Sequence, residues 1–288
     1  MLNVLLLGLL NGAIYALVGA GLSLTYGRQN VIDVANPGFV IVGAYLVLFM
    51  AKGFGLDPFI VTPLAVAMLF AMGVVVQLVL INPLLRRPEF EAHVQSALVL
   101  FGLAMLLQVA LVLSFSADTQ GLHTSYTDKV LVFGQFRLPF VKLIAAGLAG
   151  VTLLSLHVFL TRSFPGKAIL ATYGNRQAAQ LLAINVRRVD LVTYALGTAF
   201  AGIAGLVIAL TFSFSPASVL SWTVIGFSVA VIGGKGSVLG ILLAGLLVGL
   251  VEAAVSITIS ANWTYLAVYS LLLLVFVVRP RGLLGDRV

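Results

Sequence analysis

The residues of this chain that could do chemistry are few and scattered. Asn11, Asp33, Asn36, Gln77, Gln108, His157 and Glu252 fall in or beside long apolar stretches. A polar group there is costly unless it is paired or faces water, so each is a candidate for an interhelical hydrogen bond or for the lining of a solute path. Glu252 lies deeper in its stretch than Asp33 does. Its readings are a carboxyl group bonded to a neighbouring helix, a salt bridge, or a wall of a water-lined cavity. Asp33, shortly before Pro37, reads as a cap on a helix with proline in its first turns. His157 and Gln108 read as hydrogen-bond partners between helices. The three histidines, His93, His123 and His157, are far apart, and no His-Glu-x-x-His spacing offers a metal site. There is no cysteine, hence no disulfide and no thiolate ligand or nucleophile. The run Gly233-Gly234-Lys235-Gly236-Ser237 fails as a phosphate loop. Gly236 follows the lysine where Ser or Thr is required, and Val229 stands where the first glycine belongs. Neither a Gly-x-Ser-x-Gly element nor a dinucleotide fingerprint is present, so the chain is not expected to be an enzyme.

The elements that must position these groups follow from composition. Charged residues make up 9% of the 288 and hydrophobic types 61%, whereas soluble globular proteins carry roughly 25% charged residues. Mean hydropathy is +1.16. So few charges cannot cover a soluble surface, and the chain is expected in a lipid bilayer. Crossing the hydrocarbon core as a helix takes about 20 mostly apolar residues. Nine stretches approach or meet that length, at residues 2–26, 31–51, 59–84, 94–115, 141–160, 189–214, 220–233, 238–259 and 265–278. The second has polar residues and Pro37 near its start, and the seventh and ninth are short. The N-terminus lacks the basic lead and small-residue cleavage pattern of a signal peptide and reads as the first span. The expected fold is therefore all-α, a polytopic membrane helix bundle of about eight to nine spans.

Nine crossings divide the sixteen basic residues unevenly. Arg28, Arg86, Arg87, Arg162, Lys167, Arg176, Arg187, Arg188, Lys235, Arg279, Arg281 and Arg287 fall on one side, and Lys52, Lys129, Arg137 and Lys142 on the other. By the positive-inside rule the N-terminus is outside and the C-terminus cytoplasmic. The formal charge of +7 then marks the cytoplasmic face. No basic patch interleaved with aromatics points to nucleic acid.

Small residues predict where helices meet, because in lipid close backbone approach replaces the hydrophobic drive. Gly197, Ala201 and Gly205 recur every four residues; Gly245 and Gly249 do the same, with Gly240 about a turn earlier. Gly12, Gly19 and Gly21 lie along the first span. Two connections are long. On the outer side, residues 130–138 read as two short strands around a Gly-Gln turn, a cap for that face. On the basic side, residues 162–188 carry a helical pattern. Asn175 is an N-cap, and Ala178, Leu181 and Leu182 form an apolar stripe. A helix of about ten residues is marginal alone and must dock on the membrane, its own bundle or a partner.

These motifs resemble a known family. Gly166-Lys167-Ala168 followed by Asn175, Ala178, Ala179, Leu181, Ile184-Asn185-Val186 and Arg188 is similar to the cytoplasmic coupling loop of branched-chain amino acid permeases of ABC importers (the LivH/LivM type). The likeness continues through Ala195-Leu196-Gly197, residues 201–205 and 233–240, the Gly245/Gly249/Glu252 span and Arg279-Pro280-Arg281-Gly282-Leu283-Leu284-Gly285. Near the N-terminus it covers Gly21-Leu22-Ser23-Leu24, Tyr26-Gly27 and Gly43-Ala44-Tyr45. The chain departs from the pattern in three places. Leu170 stands for the usual Arg, Ala183 for the usual Gly, and Ile32 to Phe39 reads Ile-Asp-Val-Ala-Asn-Pro-Gly-Phe where the family has Ile-Asn-Phe-Ala-His-Gly-Glu-Phe.

The resemblance implies a single transmembrane permease domain over residues 1–288, with a coupling loop at 162–188, in a bacterial-type inner membrane. It implies an assembly with a second, homologous permease, two cytoplasmic ATPase subunits and an external solute-binding protein. ATP binds to the partner subunits, and this chain carries no cofactor or metal. The Asn175–Ile184 helix, with Gly166, Lys167, Ala168, Ala178, Ala179, Leu181 and Leu182, would couple to the ATPase. The solute would pass Asn11, Asn36, Ser228 and Glu252. Urea permeases share these motifs, so urea or other amides stand beside branched-chain amino acids as cargo. From the residues alone, a secondary transporter or channel using Asp33 or Glu252, or a structural subunit, also stands.

Overall fold

The computed structural model of the chain describes residues 2–29, 33–85, 89–124, 126–127, 129–133, 136–234, 236–279 and 282–284. Apolar stretches become helices because only a helix satisfies every backbone hydrogen bond within one lipid-embedded segment. The helices are α1 (Leu2–Gln29), α2 (Asn36–Phe54), α3 (Pro58–Val76), α4 (Asn82–Leu84), α5 (Glu89–Phe115), α6 (Phe140–Arg162), α7 (Phe164–Gly174), α8 (Arg176–Leu181), α9 (Val186–Thr211), α10 (Ser218–Gly233), α11 (Val238–Thr258) and α12 (Thr264–Val278). A π-turn at Gln77–Ile81 joins α3 to α4, just before Pro83, which has no N–H to give. Among the described residues, seven helices are long and apolar enough to cross a membrane, α3 through α4 counting as one; α10 and α12 are shorter apolar helices.

The expected bundle is thus present, with the second stretch resolved as one continuous helix starting at Asn36. Side-chain caps set several starts. Asp57 accepts the Phe59 N–H, Asn185 the Arg188 N–H and Ser237 the Gly240 N–H. The Asn185 cap begins α9 three residues before the apolar run does.

Described basic side chains gather at opposite ends of the helices. Arg162, Lys167, Arg176, Arg187, Arg188 and Arg279 lie at a basic end, and Lys52, Lys129, Arg137 and Lys142 at the other. Arg86, Arg87, Lys235, Arg281 and Arg287, the side chain of Arg28, and the Gly134-Gln135 turn lie outside the described residues. The second end carries the expected hairpin. Strands β1 (Val130–Phe133) and β2 (Phe136–Pro139) pair antiparallel with Val130 opposite Pro139 and Phe133 opposite Phe136. The segment before it is tied to the top of α9: Gln120 and Phe214 exchange backbone hydrogen bonds of 2.7 and 2.9 Å, and the Leu122 N–H reaches the Ala209 carbonyl. This end is capped by the protein's own loop.

The core is made by α1, α2 and α9, the most buried of the spans. Antiparallel α1 and α11 touch along Gly8, Gly12 and Ala16 on one side and Gly245, Gly249 and Ala253 on the other. A methyl group at Gly249 would sit 2.2 Å from the Gly8 carbonyl oxygen, and one at Gly12 would sit 2.6 Å from that of Gly245. A methyl group at Gly205 would lie 2.5–2.6 Å from backbone atoms of Ala44 and Gly43, and Gly21 lies against Gly197. The three glycine series read from the sequence are contact faces; Gly8 extends the first series by one turn.

Gly249→Val should therefore destabilise the fold by on the order of 3 kcal/mol, because neither backbone can retreat without opening the whole seam. Gly147→Val on α6, where nothing lies within 4 Å, should be tolerated. Thermal unfolding of the two variants in detergent tests the contrast.

Candidate functional site

At the basic end, residues 162–188 form two short helices rather than a loop with one. Ser163 caps α7 by accepting the Gly166 N–H at 3.0 Å. Gly166 packs so tightly on the end of α6 that a methyl group there would lie 2.1 Å from the Phe159 carbonyl oxygen. Asn175 caps α8 as its type predicts, its Oδ1 accepting the N–H groups of Gln177 and Ala178 at 3.0 Å each. The helix is shorter than the expected 175–184. It stops at Leu181 because Ala183 enters the left-handed region at φ 59°. The Ala183 N–H then bonds the Gln180 carbonyl and the Ile184 N–H the Ala179 carbonyl, the paired bonds of a Schellman ending. Glycine suits that conformation, which explains the glycine usual in the family pattern; alanine carries it with strain.

α8 is fixed on one side and bare on the other. Ala179 is buried at 2% exposure, and Arg176 forms an ion pair with Asp190 of α9. Leu181 and Leu182 are 90% and 74% exposed, and Ala178 is exposed with them. The predicted stripe therefore faces away from the bundle. Of the other predicted residues here, Gly166 is buried, Lys167 is exposed, and Ala168 and Ile184 are half-buried.

The four predicted pathway residues separate into two groups. Asn36 and Ser228 are fully buried, and neither side chain finds a hydrogen-bond partner among the described residues. Asn36 sits where α1 and α9 cross, its amide within 3.0 Å of the position a Gly21 methyl would take. Beside it, Asp33 Oδ1 accepts the Tyr194 hydroxyl at 3.4 Å and the backbone N–H groups of Ala35 and Asn36 lie against its carboxyl, whereas Oδ2 has no partner among the described residues; the N-cap of α2 is Ala35, not Asp33. Burial nonetheless pushes its carboxyl up to about 7, the hydrogen bonds only partly opposing it.

Asn11 and Glu252 belong instead to a cluster toward the hairpin end. The Tyr15 hydroxyl donates to Glu252 Oε2 at 2.5 Å, in the range of a charge-assisted bond. The Lys142 ammonium donates to Asn11 Oδ1 at 2.9 Å, lies 5.5 Å from the centre of the Phe212 ring, and feels the Glu252 charge. Beside Tyr15 and Glu252 opens a cavity of about 320 Å³ between α1, α10, α11 and α12, walled by Phe212, Trp222, Tyr265 and hydroxyls such as Ser221. Among the described residues no group of three or more His, Asp or Glu side chains could hold a metal ion.

A bundle with glycine-seamed spans and a capped, outward-facing helix on its basic end has known counterparts. The family model described as branched-chain amino acid transport system / permease component matches residues 4–277. The chain belongs to this permease family. Among curated relatives, the high-affinity branched-chain amino acid transport permease BraD of Pseudomonas aeruginosa is 26% identical over 96% of this chain and 94% of its own length. LivH of Salmonella typhimurium is 25% identical over 96% and 93%, and the inner membrane ABC transporter permease YjfF of Escherichia coli is 28% identical over 83% and 73%. Among solved structures, PsaBC from Streptococcus pneumoniae in complex with Fab is similar with a TM-score of 0.51. It covers 97% of this chain and 91% of that one at 15% identity, a likeness of fold alone.

Sequence reasoning missed part of the permease's hairpin-end cluster. Lys142 counts there only as a topological charge, although it stands one residue inside an apolar span, a position that itself signals a buried partner. Tyr15, Phe212 and Trp222 carry no signal in a sequence so rich in apolar residues.

Two outcomes are expected. Ala183→Gly should relieve the left-handed strain, stabilising the end of α8 in the permease by roughly 1 kcal/mol and slowing hydrogen exchange across residues 176–184. The folded permease holds the Asp33 proton up to about pH 7, while the unfolded chain releases it near pH 4. The folded state thus binds more protons across that window, and this group lowers stability as pH rises through it. Unfolding midpoints between pH 4 and 8 should show that decline, and Asp33→Asn should flatten it.

Proposed function

We propose that this chain is a transmembrane permease subunit of an ATP-driven ABC importer that conducts branched-chain or related amino acids inward across a bacterial-type inner membrane. The observation that carries the reading is the bare Ala178/Leu181/Leu182 face of α8. A six-residue helix has no stability of its own. This one is held by its Asn175 cap, by buried Ala179 and by the Arg176–Asp190 pair, so its apolar side is presented rather than hidden. That is the form of a helix that enters a groove on a partner.

In this reading the basic end is cytoplasmic, the N-terminus is outside, and the groove belongs to one of two ATPase subunits that bind the ATP. The permease itself hydrolyses nothing and holds no cofactor. A second, homologous permease completes the membrane core, and an external solute-binding protein delivers cargo to the hairpin end. Closure of the ATPase dimer pushes α7 and α8, and the Arg176–Asp190 pair passes that push to α9. With 26 residues, α9 is about 39 Å long and ends beside Phe212 at the cavity, so it can bias the bundle between inward- and outward-open states. The solute passes Asn11, Asn36, Ser228 and Glu252.

Ala178→Glu or Leu182→Asp should weaken ATPase association at least about tenfold, roughly 1.4 kcal/mol, while the variant still reaches the membrane and keeps its unfolding midpoint. Co-purification with the co-expressed ATPase measures this. Undiminished recovery of the ATPase would overturn the assignment of α8.

A further inference from the structure

We propose that the hairpin-end cavity is a binding site for the protonated amino group of a small amphipathic solute, with Glu252 as counter-ion and the Tyr15, Phe212 and Trp222 rings as an aromatic cage. This deepens the importer reading, on which only the transport arm of the test below rests.

The volume of about 320 Å³ lies within the range of small-molecule pockets. Among the residues lining it, Glu252 carries the one formal charge. Its Oε2 is taken by the Tyr15 hydroxyl, and Oε1 accepts no hydrogen bond from any described residue. The carboxylate thus has an acceptor to spare at the cavity wall. Around it the three rings pack on one another. Trp222 meets Phe212 edge-on at 5.3 Å and Tyr15 at 5.9 Å, and Tyr15 and Phe212 lie 6.4 Å apart at 21°.

Ring faces carry partial negative charge and attract ammonium groups, most strongly when water is excluded. The protein already places one ammonium on this cage, since Lys142 Nζ lies 5.5 Å from the Phe212 centroid. Lys142 faces Glu252 but is not among the residues that line the cavity, so at the cavity wall the carboxylate and the ring faces favour a cation over an anion. Ile225, Val248 and Val268 supply an apolar wall for the rest of the solute.

The test uses the full chain in lipid nanodiscs. Trp222 is one of two tryptophans; with Trp263→Phe as background, emission reports on the cavity alone. Three probes of one carbon skeleton are titrated: L-leucine, isoamylamine and isocaproate. Leucine and isoamylamine should shift Trp222 emission saturably and isocaproate should not. Glu252→Gln, which keeps size and the bond from Tyr15, should weaken both amines at least tenfold. If that variant unfolds early, Trp222→Leu followed by calorimetric titration should show a comparable loss. Binding of isocaproate as tight as leucine, binding unchanged in both variants, or no binding of either amine would overturn the site. In vesicles holding the whole transporter, leucine uptake that is normal in Glu252→Gln sinks the site and leaves the importer reading intact. Cavity binding without ATP-driven uptake does the reverse.

Discussion

In lipid, a leucine gains little by leaving the acyl chains for another apolar surface, so helices stay together through the closeness of their backbones. Here that closeness is extreme between α1 and α11, where Gly8, Gly12, Gly245 and Gly249 leave no room for a single methyl group. The same device joins α9 to α2 at Gly205 and Gly43 and to α1 at Gly197 and Gly21. Everything of functional interest hangs on these seams. They hold Tyr15 of α1 beside Glu252 of α11, and they put Asn36 in the crossing of α1 and α9. They also fix the α9 helix that links the basic end to the cavity.

A rigid seam and a presented helix make complementary halves of one device. Helices locked backbone to backbone move as bodies, because their contacts are bistable rather than continuously deformable. α8 is attached to such a body by a charge pair and a buried alanine, not by a floppy tether. In the proposed importer, motion delivered at α8 would therefore reach α9 as displacement.

Much of this was legible in the residues. Nine apolar stretches, their glycine spacing, the Asn175 cap, the hairpin and the apolar stripe at Ala178, Leu181 and Leu182 all follow from local physics that a sequence displays directly, whereas the outward direction of that stripe is shown only by the fold. The length of α8 did not, because Ala183 is not a residue type that announces a left-handed ending; the glycine of the family pattern would have. Asn11 and Glu252 were recognisable as polar groups out of place. Their partners were not, since a tyrosine and a lysine from other helices are brought to them by a seam whose register no local pattern encodes. Asn36 reads as a polar residue at depth, Ser228 enters only through the family resemblance, and only the fold shows that neither side chain finds a partner among the described residues.

The brevity of α10 and α12 has its own consequence. With 16 and 15 residues they reach about 24 and 22 Å, short of a hydrocarbon core of about 30 Å. A shortfall of this kind is met by local thinning of the bilayer or by tilt of neighbours, at a fraction of a kcal/mol for each ångström. Both helices wall the cavity, and Trp263 and Tyr265 stand at the hairpin end of α12, where aromatic rings favour the headgroup layer. The cavity thus opens beside two described helices whose fit to the membrane depends on lipid chain length, and bilayer thickness becomes a variable acting on it directly.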